Sequence, residues 1–298
     1  MRNRDSFSGY HPLVNFLYFG LVIGFSMCLM NPVCLFISLL SAMAYLVNLK
    51  GRKALRSSLT MVLPMMLLAA IINPAFNHEG VTVLTYLPNG NVLTLESILY
   101  GFGAAFMLAA VIQWFSCYNE VMTSDKFVYL FGRIIPALSL VLSMTLRFVP
   151  RFRAQMKQVS NAQKCIGRNL ADGGFLAKMK HGITILSILV TWSLENAIET
   201  ADSMRSRGYG LPGRSAYSIY RFDERDKLAM LWLLACFWYL LFGALSGSLY
   251  FRFYPSVKMA PLTPFTLSFY LVYLALCLTP VILNEKEERT WRRLQSAI

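Results

Sequence analysis

Six long apolar stretches constrain this chain more than any other feature of its sequence. Each is close to the roughly 20 apolar residues that a helix needs to cross about 30 Å of hydrocarbon. Four lie in the first part of the chain and two near its end, and a long segment of mixed character separates the two groups. The stretches are 12–30, 33–49, 58–76, 97–118, 228–250 and 262–283. The sequence therefore predicts an all-α polytopic membrane protein with about six transmembrane helices.

The composition favours a membrane protein over a soluble one. Of the 298 residues, 56% are hydrophobic and only 14% are charged, whereas about a quarter of the residues of a soluble domain carry charge. The formal net charge is +13. On a soluble surface this excess would suggest a nucleic-acid partner, but in a membrane protein it is typical of cytoplasmic loops. We therefore expect contact with membrane lipids and none with nucleic acid.

The positions of lysine and arginine predict the orientation of the spans. The loop 50–56 contains four basic residues and no acid, which places it in the cytoplasm by the positive-inside rule. Both termini and the segment 126–227 then lie on the same side, as in a multi-pass protein of the cell membrane. Arg252 and Lys258, in the external loop 251–261, are a small exception to the rule.

Three regions follow from this arrangement. They are a membrane region of four helices at 1–125, a cytoplasmic helical region at 126–227, and a membrane region of two helices with a cytoplasmic tail at 228–298. In the first region, two β-prone stretches within 81–95 flank Asn89-Gly90, which is a strong signal for a hairpin turn. We predict a small external β-hairpin there, acting as a connecting loop with local pairing.

The cysteines and histidines do not form a metal-binding pattern. The three histidines are far apart and have no cysteine or carboxylate at ligand spacing, so we expect neither a metal nor another cofactor. The cysteines form no C-x-x-C pair, and all but Cys165 lie in or beside apolar runs. We interpret them as small core residues. They are Cys28, Cys34, Cys117, Cys165, Cys236 and Cys277.

The predicted spans contain almost no ionisable residues. Ion-coupled carriers and channels usually hold carboxylates, histidine or arginine at membrane depth, so the sequence disfavours an independent carrier. The first 12 residues lack the basic region, short apolar core and cleavage site of a signal peptide. We therefore expect the first span to be retained.

The segment 126–227 is predicted to contain long helices. Because Pro150 interrupts the run LRFVPRFRAQ, we place a helix break near 148–150, followed by an amphipathic helix that ends near Gly167. Another helix is predicted from Phe175 to Gly208, where glycine takes a left-handed C-terminal position. Basic side chains in its last turn complement the helix dipole.

Gly208, Gly210 and Gly213 have the G-x-G-x-x-G spacing of dinucleotide-binding loops. That motif lies between a strand and a helix, so that a positive helix N-terminus meets the phosphates. Here a helix precedes Gly208, and Pro212 interrupts the segment after it. The pattern therefore indicates a helix end rather than a nucleotide site.

The spans, the cytoplasmic helices and the stretch ENAIETADSMRSRGYG together resemble the transmembrane T component of energy-coupling factor (ECF) transporters, a family similar to cobalt-transport permeases. In that family, two long coupling helices each end in a small residue followed by Arg and Gly, and each arginine docks into one of two ATPase subunits. The second triplet matches Ser206, Arg207 and Gly208. The resemblance implies that Arg207 pairs with a carboxylate of an ATPase, as a guanidinium at an exposed helix end can. The alternative is that Arg207 only complements the helix dipole.

The first triplet departs from the family pattern. Its place is taken by Cys165, Ile166 and Gly167, with an isoleucine instead of the arginine. Lys164 and Arg168 flank the isoleucine, and their side chains would leave the helix in different directions. Either apolar contact from Ile166 or the charge of a neighbour replaces the missing arginine, so the two ATPase contacts are expected to differ.

The function that the resemblance implies is that of a non-catalytic coupling subunit. It would hold a substrate-binding S component and transmit conformational change from two ATP-binding cassette ATPases, for uptake of a vitamin or a transition metal. The alternative is a polytopic membrane enzyme that acts on lipid or peptide, with its basic region on anionic headgroups. Such an enzyme needs a catalytic cluster at the membrane face. Glu120 and Asp125 are the only acids near a cytoplasmic span end before the helical region.

Overall fold

The computed structural model describes residues 5–86, 92–132, 135–167, 174–212 and 220–296. The chain divides into two compact units. One consists of Met1–Lys126 and Tyr220–Ile298, and the other of Phe127–Ile219. The described helices, in chain order, are α1 (Pro12–Cys28), α2 (Pro32–Lys50), α3 (Arg52–Phe76), α4 (Leu95–Val121), α5 (Ser124–Gly132), α6 (Pro136–Cys165), α7 (Phe175–Ser206), α8 (Glu224–Leu245) and α9 (Pro264–Ser296).

The first unit is a helical bundle that contains the apolar helices. Helices α2, α4, α8 and α9 are each long and apolar enough to cross a membrane, and α1 and the part of α3 from Thr60 to Phe76 are shorter apolar helices. These six helices coincide with the six apolar stretches of the sequence. The prediction of an all-α polytopic membrane protein is confirmed.

Local sequence signals determine where α1 and α2 begin. Each starts with proline. The first residue of a helix makes no intrahelical hydrogen bond through its N–H, so proline, which lacks this N–H, loses nothing there. The residue before each proline caps the helix with its side chain. The Nδ1 atom of His11 accepts from the Leu13 N–H at 3.3 Å, and Asn31 Oδ1 accepts from the Val33 N–H at 3.0 Å. The short connection between α1 and α2 therefore ends in a well-capped helix start.

The core of the first unit contains an aromatic cluster around Trp114 of α4. This ring is fully buried, and its centroid lies 6.1 Å from Tyr18 and 6.4 Å from Phe19. The indole N–H donates to Ser38 Oγ at 2.9 Å. Because the polar atom of this large apolar ring has a partner, its burial carries no hydrogen-bond penalty.

The N-terminal segment closes the end of the bundle at which α2 and α4 finish. Phe7 is buried in the aromatic cluster, and Asp5 accepts hydrogen bonds from the Tyr45 hydroxyl, at 3.0 Å, and from the Asn284 amide. The buried ammonium of Lys126 donates to backbone carbonyls of this segment and of α4. Burial lowers the pKa of Lys126, and nearby Asp5 partly opposes this. The start of the chain and the later part of α9 therefore lie at the same end of the bundle.

Two short antiparallel strand pairs lie in the first unit. The strands β1 (Val83–Tyr86) and β2 (Val92–Thr94) pair within the predicted hairpin, whose turn residues Asn89-Gly90 lie outside the described residues. The strands β3 (Phe251–Arg252) and β4 (Lys258–Met259) form a second ribbon. The sequence had indicated only a loop there, because two-residue strands have no detectable period.

The second unit contains α6, α7 and most of α5. The predicted break near 148–150 is wrong, since α6 continues through Pro150 to Cys165. A proline inside a helix removes one N–H and crowds the preceding turn. Here the aromatic side chains Phe148 and Phe152, on both sides of the proline, pack on the same ring, Trp192 of α7. This tertiary contact stabilises the helix across the proline.

Four of the six cysteines are buried as predicted, and two are not. Cys28 and Cys165 are exposed, so the interpretation of these two as core residues is wrong. Both are the last residues of their helices, α1 and α6, where a side chain can leave the packed surface. The buried ones are Cys34, Cys117, Cys236 and Cys277.

Candidate functional site

Helices α6 and α7 pack against each other through aromatic side chains. The ring centroid of Trp192 on α7 lies 5.9 Å from that of Phe148 and 6.5 Å from that of Phe152 on α6. The guanidinium carbon of Arg151 lies 5.7 Å from the Trp192 ring centroid, which is a cation–π distance. Leu189, one turn before Trp192, is 2% exposed. This packing makes the two helices a single structural element.

The two helices run in opposite directions. Trp192 contacts Phe152, and farther along the pair Ser160 of α6 and Gly182 of α7 line the same cavity. Moving toward the end of α6 therefore means moving toward the start of α7. At 1.5 Å per residue, each C-terminal end lies about 20 Å of helix beyond the Trp192 contact, and on opposite sides of it.

The second predicted triplet closes α7. Ser206 is the last helical residue, Arg207 is the C-cap, and Gly208 has a φ of +77°. The Gly208 N–H donates to the Arg205 carbonyl at 3.0 Å, and the Tyr209 N–H donates to the carbonyl five residues earlier, also at 3.0 Å. These two bonds define a Schellman closure. Glycine adopts its left-handed position without steric cost.

The first predicted triplet closes α6 with the same backbone conformation. Cys165 is the last helical residue, Ile166 is the C-cap, and Gly167 has a φ of +75°. The Gly167 N–H donates to the Lys164 carbonyl at 3.0 Å, which is the counterpart of the bond from Gly208. The predicted left-handed glycine at the end of α7 is confirmed, and α6 ends at Gly167 as predicted, also with a positive φ.

The shared closure gives each residue of one triplet a counterpart in the other. Ile166 and Arg207 are both C-cap residues, whereas Lys164 corresponds to Arg205, two residues earlier. Lys164 therefore does not occupy the position of the expected arginine. Arg168, the other candidate for supplying the charge, lies outside the described residues.

The two C-cap side chains are accessible to a partner. Ile166 is 66% exposed, and Arg207 is also exposed. Within the described ranges, none of the salt bridges involves Arg207 or Lys164. At the C-cap position, α7 therefore presents a cation and α6 presents an apolar side chain.

Two exposed side chains beside the second triplet were not predicted from the sequence. Tyr209 and Leu211 are 52% and 66% exposed, so they place apolar surface next to the Arg207 charge. A Cβ atom on Gly208 would lie 3.0 Å from Leu211 Cδ1. The alternation of glycine with large apolar residues in GYGL is the signal that could have identified this patch. In the described part of the chain, no group of three or more side chains could hold a metal ion.

Comparison with known proteins identifies relatives of this chain, although no family model matches it. An uncharacterised protein of Mycoplasma genitalium is 27% identical over 177 residues, which cover 55% of this chain and 42% of that protein. The energy-coupling factor transporter transmembrane protein EcfT of Lactobacillus helveticus is 34% identical over 101 residues, 34% of this chain and 36% of that protein. EcfT of Lactococcus lactis is 38% identical over 95 residues, 32% of this chain and 36% of that protein. The chain is related to the ECF transmembrane proteins.

The resemblance inferred from the spans and the second triplet is thereby confirmed. This chain spans about two fifths or less of the length of these curated relatives. The described part of the chain contains four candidate membrane spans, and the relatives named EcfT are transmembrane proteins of ECF transporters.

Proposed function

We propose that this chain is the transmembrane scaffold and coupling subunit of an ECF-type ABC importer. The main support is the shared closure of α6 and α7, which presents two triplets at opposite ends of one antiparallel helix pair. The names of the relatives, which are transmembrane proteins of ECF transporters, support the same assignment.

Each end of the helix pair would dock into one of two ATP-binding cassette ATPases. The ends lie on opposite sides of the Trp192 contact, so they suit two partners better than one. At the end of α7, Arg207 would pair with a carboxylate in a groove of one ATPase, since a guanidinium can form two parallel hydrogen bonds with it. Tyr209 and Leu211 would exclude water around this pair and so strengthen it.

The other ATPase would meet an apolar contact at the end of α6. Ile166 has the same backbone position as Arg207, whereas Lys164 has the position of Arg205. A partner groove that receives the C-cap side chain would therefore receive isoleucine. The two ATPase contacts are then different in chemistry, and the two grooves need not be identical.

The membrane unit would hold the S component, which would bind a vitamin or a transition metal. ATP and its magnesium would bind the ATPases, so this chain would carry no catalytic residue. Closure of the ATPases would tilt the α6–α7 pair as one element, and the pair would pass this motion to the S component. Both termini would lie in the cytoplasm, because the basic loop 50–56 lies at their end of the bundle.

No observation favours the alternative, a polytopic membrane enzyme that acts on lipid or peptide. That alternative relies on acids near the membrane face. The Oε2 atom of Glu120 lies 3.5 Å from Nζ of Lys50, in a salt bridge that joins α4 to α2. This carboxylate therefore has a structural role.

The decisive experiment reverses the charge of Arg207 in an affinity-tagged chain and compares it with the same change two residues earlier. Arg207→Glu should abolish ATP-dependent uptake and lower the recovery of at least one ATPase by about tenfold or more. The new glutamate would repel the ATPase carboxylate that the arginine attracts. Arg205→Glu, in the same last helical turn, is the matched control and should retain both. If Arg207→Glu still recovers both ATPases and supports uptake, the coupling assignment is wrong.

A further inference from the structure

The end of the membrane bundle opposite Lys50 contains an apolar cavity of about 470 Å³. It lies between the beginnings of α2 and α4 and the β3–β4 ribbon. Phe36 and Phe102 in its wall are each more than half exposed, so the cavity opens sideways from two helices that are candidate membrane spans. A polar occupant would lose its hydrogen bonds with water there. The side chains that line it include Val33, Phe36, Leu99, Phe102, Phe251 and Phe253.

The β3–β4 ribbon closes this cavity with one of its two faces. Phe253 is 6% exposed, and its ring packs so closely on α4 that a Cβ atom on Gly103 would lie 3.0 Å from it. Side chains alternate between the faces of a strand. The ribbon therefore has an aromatic face toward the cavity, with Phe251 and Phe253, and an opposite face that contains Arg252.

The opposite face of the ribbon carries two cations side by side. Arg252 and Lys258 are direct cross-strand partners, and both are exposed. Like charges directly opposite each other destabilise a strand pair. The Nε of Arg252 donates to the Tyr254 carbonyl, which holds the guanidinium beside its own loop. In the described ranges, neither cation takes part in a salt bridge. An anion between the two would remove their repulsion.

We propose that the cavity and the two cations form one binding site for an anionic glycerophospholipid. The phosphate lies on Arg252 and Lys258, and one acyl chain occupies the cavity. Because paired strands are only about 4.8 Å apart, the glycerol backbone can pass over the edge of the ribbon from one face to the other. A soluble phosphate would leave the cavity unfilled, and a zwitterionic phospholipid would bring a third cation, that of its own headgroup, beside Arg252 and Lys258. An anionic lipid satisfies both parts of the site.

The site also explains the two basic residues that violate the positive-inside rule. With the predicted orientation, Arg252 and Lys258 lie at the outer leaflet, where excess positive charge is unusual. A lipid phosphate held there gives these charges a partner. The proposal concerns the membrane unit alone and does not depend on the coupling role of α6 and α7.

The test uses the full chain in phosphatidylcholine bilayers that contain a trace of phosphatidylglycerol with a diazirine near the end of one acyl chain. After illumination, peptide mapping by mass spectrometry should locate the label on α2 or α4 beside the cavity. Arg252→Gln with Lys258→Gln should lower this labelling by about tenfold, since two cations no longer attract the phosphate. The charge-preserving exchange Arg252→Lys with Lys258→Arg is the matched control and should keep the label.

A second pair of variants tests the acyl chain. Leu99→Trp fills the cavity and should lower the labelling there. Leu231→Trp, which replaces a side chain of α8 that is 71% exposed, should leave the labelling unchanged. Each variant is first checked for a monodisperse, folded chain by gel filtration in detergent. The proposal is overturned if a phosphatidylcholine probe with the same diazirine labels these peptides as strongly as phosphatidylglycerol. It is also overturned if the double Gln variant leaves the labelling unchanged.

Discussion

Ile166 and Arg207 occupy the same C-cap position at the ends of α6 and α7, with ψ angles of 17° and 10° and a left-handed glycine after each. The backbone therefore presents an apolar side chain at one end and a charged one at the other in the same local conformation. If both ends dock as proposed, any difference between the two contacts must come from the side chains and their partners.

The first prediction concerns the asymmetry of these contacts. Ile166→Ala should weaken one ATPase contact more than Lys164→Ala does. Burying the apolar surface of an isoleucine on docking contributes about 2 kcal/mol to the binding free energy. Lys164 lies two residues before the cap position and should contribute less than a tenfold change in affinity. The measurement is the retention of each ATPase on resin that carries the tagged chain, at increasing salt.

The salt series separates the two explanations of the missing arginine. An apolar contact from Ile166 should hold its ATPase as salt rises, whereas the Arg207 contact should weaken. If Lys164→Ala causes the larger loss and that loss grows with salt, the charge of Lys164 replaces the arginine and the apolar proposal for this end is wrong.

The second prediction concerns the glycines that end the two helices. Gly167→Ala and Gly208→Ala should each cost about 1 kcal/mol, because an L-residue is strained at positive φ. Gly208→Ala should cost more, since its Cβ would lie 3.0 Å from Leu211 while the same atom on Gly167 meets nothing within 4 Å. Hydrogen exchange of the last turns of α6 and α7 measures both effects.

The matched control for this prediction removes the steric part alone. In a Leu211→Ala background, Gly208→Ala should have the same effect on exchange as Gly167→Ala. If the difference between the two glycine substitutions persists in that background, Leu211 is not its cause.

The sequence was sufficient for the features that depend on local chemistry. The helix ends at Gly167 and Gly208 were predicted because glycine acts through its own backbone preference, and the helix starts at Pro12 and Pro32 have an equally local cause. The break at Pro150 was wrong because Trp192, distant in sequence, holds both flanking turns of α6. The two triplets lie at opposite ends of the α6–α7 pair because the helices are antiparallel. This arrangement depends on the same long-range contact, which no local pattern reveals.

The third prediction tests whether this contact holds α6 and α7 together. Trp192→Ala should destabilise the pair by about 2 to 3 kcal/mol, somewhat less than for a fully buried tryptophan, because the ring is only half-buried. Trypsin should then cleave faster after Arg151 and Arg153, which flank the contact. Trp192→Phe, which keeps an aromatic ring, should lie between the wild type and the alanine variant. Equal cleavage rates in all three would show that other contacts hold the helices.

The fourth prediction is a pH dependence located at the start of α1. The ring atom Nδ1 of His11 accepts from the Leu13 N–H at 3.3 Å, and the backbone N–H of His11 donates to the Asp226 carboxylate of α8 at 2.9 Å. Burial lowers the pKa of His11 below 6.5, although the Asp226 carboxylate opposes this effect. Protonation of Nδ1 would remove the acceptor that caps α1.

The sign of the effect follows from the direction of this pKa shift. The pKa of His11 is lower in the folded than in the unfolded chain. The unfolded chain therefore binds more protons between the two pKa values. As a result, the free energy of unfolding decreases as pH falls below 6.5. The thermal midpoint of the detergent-solubilised chain should therefore drop on acidification. His11→Asn keeps a capping side chain that does not titrate, so its midpoint should drop less over the same range. Equal drops in the two chains would mean that another group, and not the cap of α1, is responsible for the acid sensitivity.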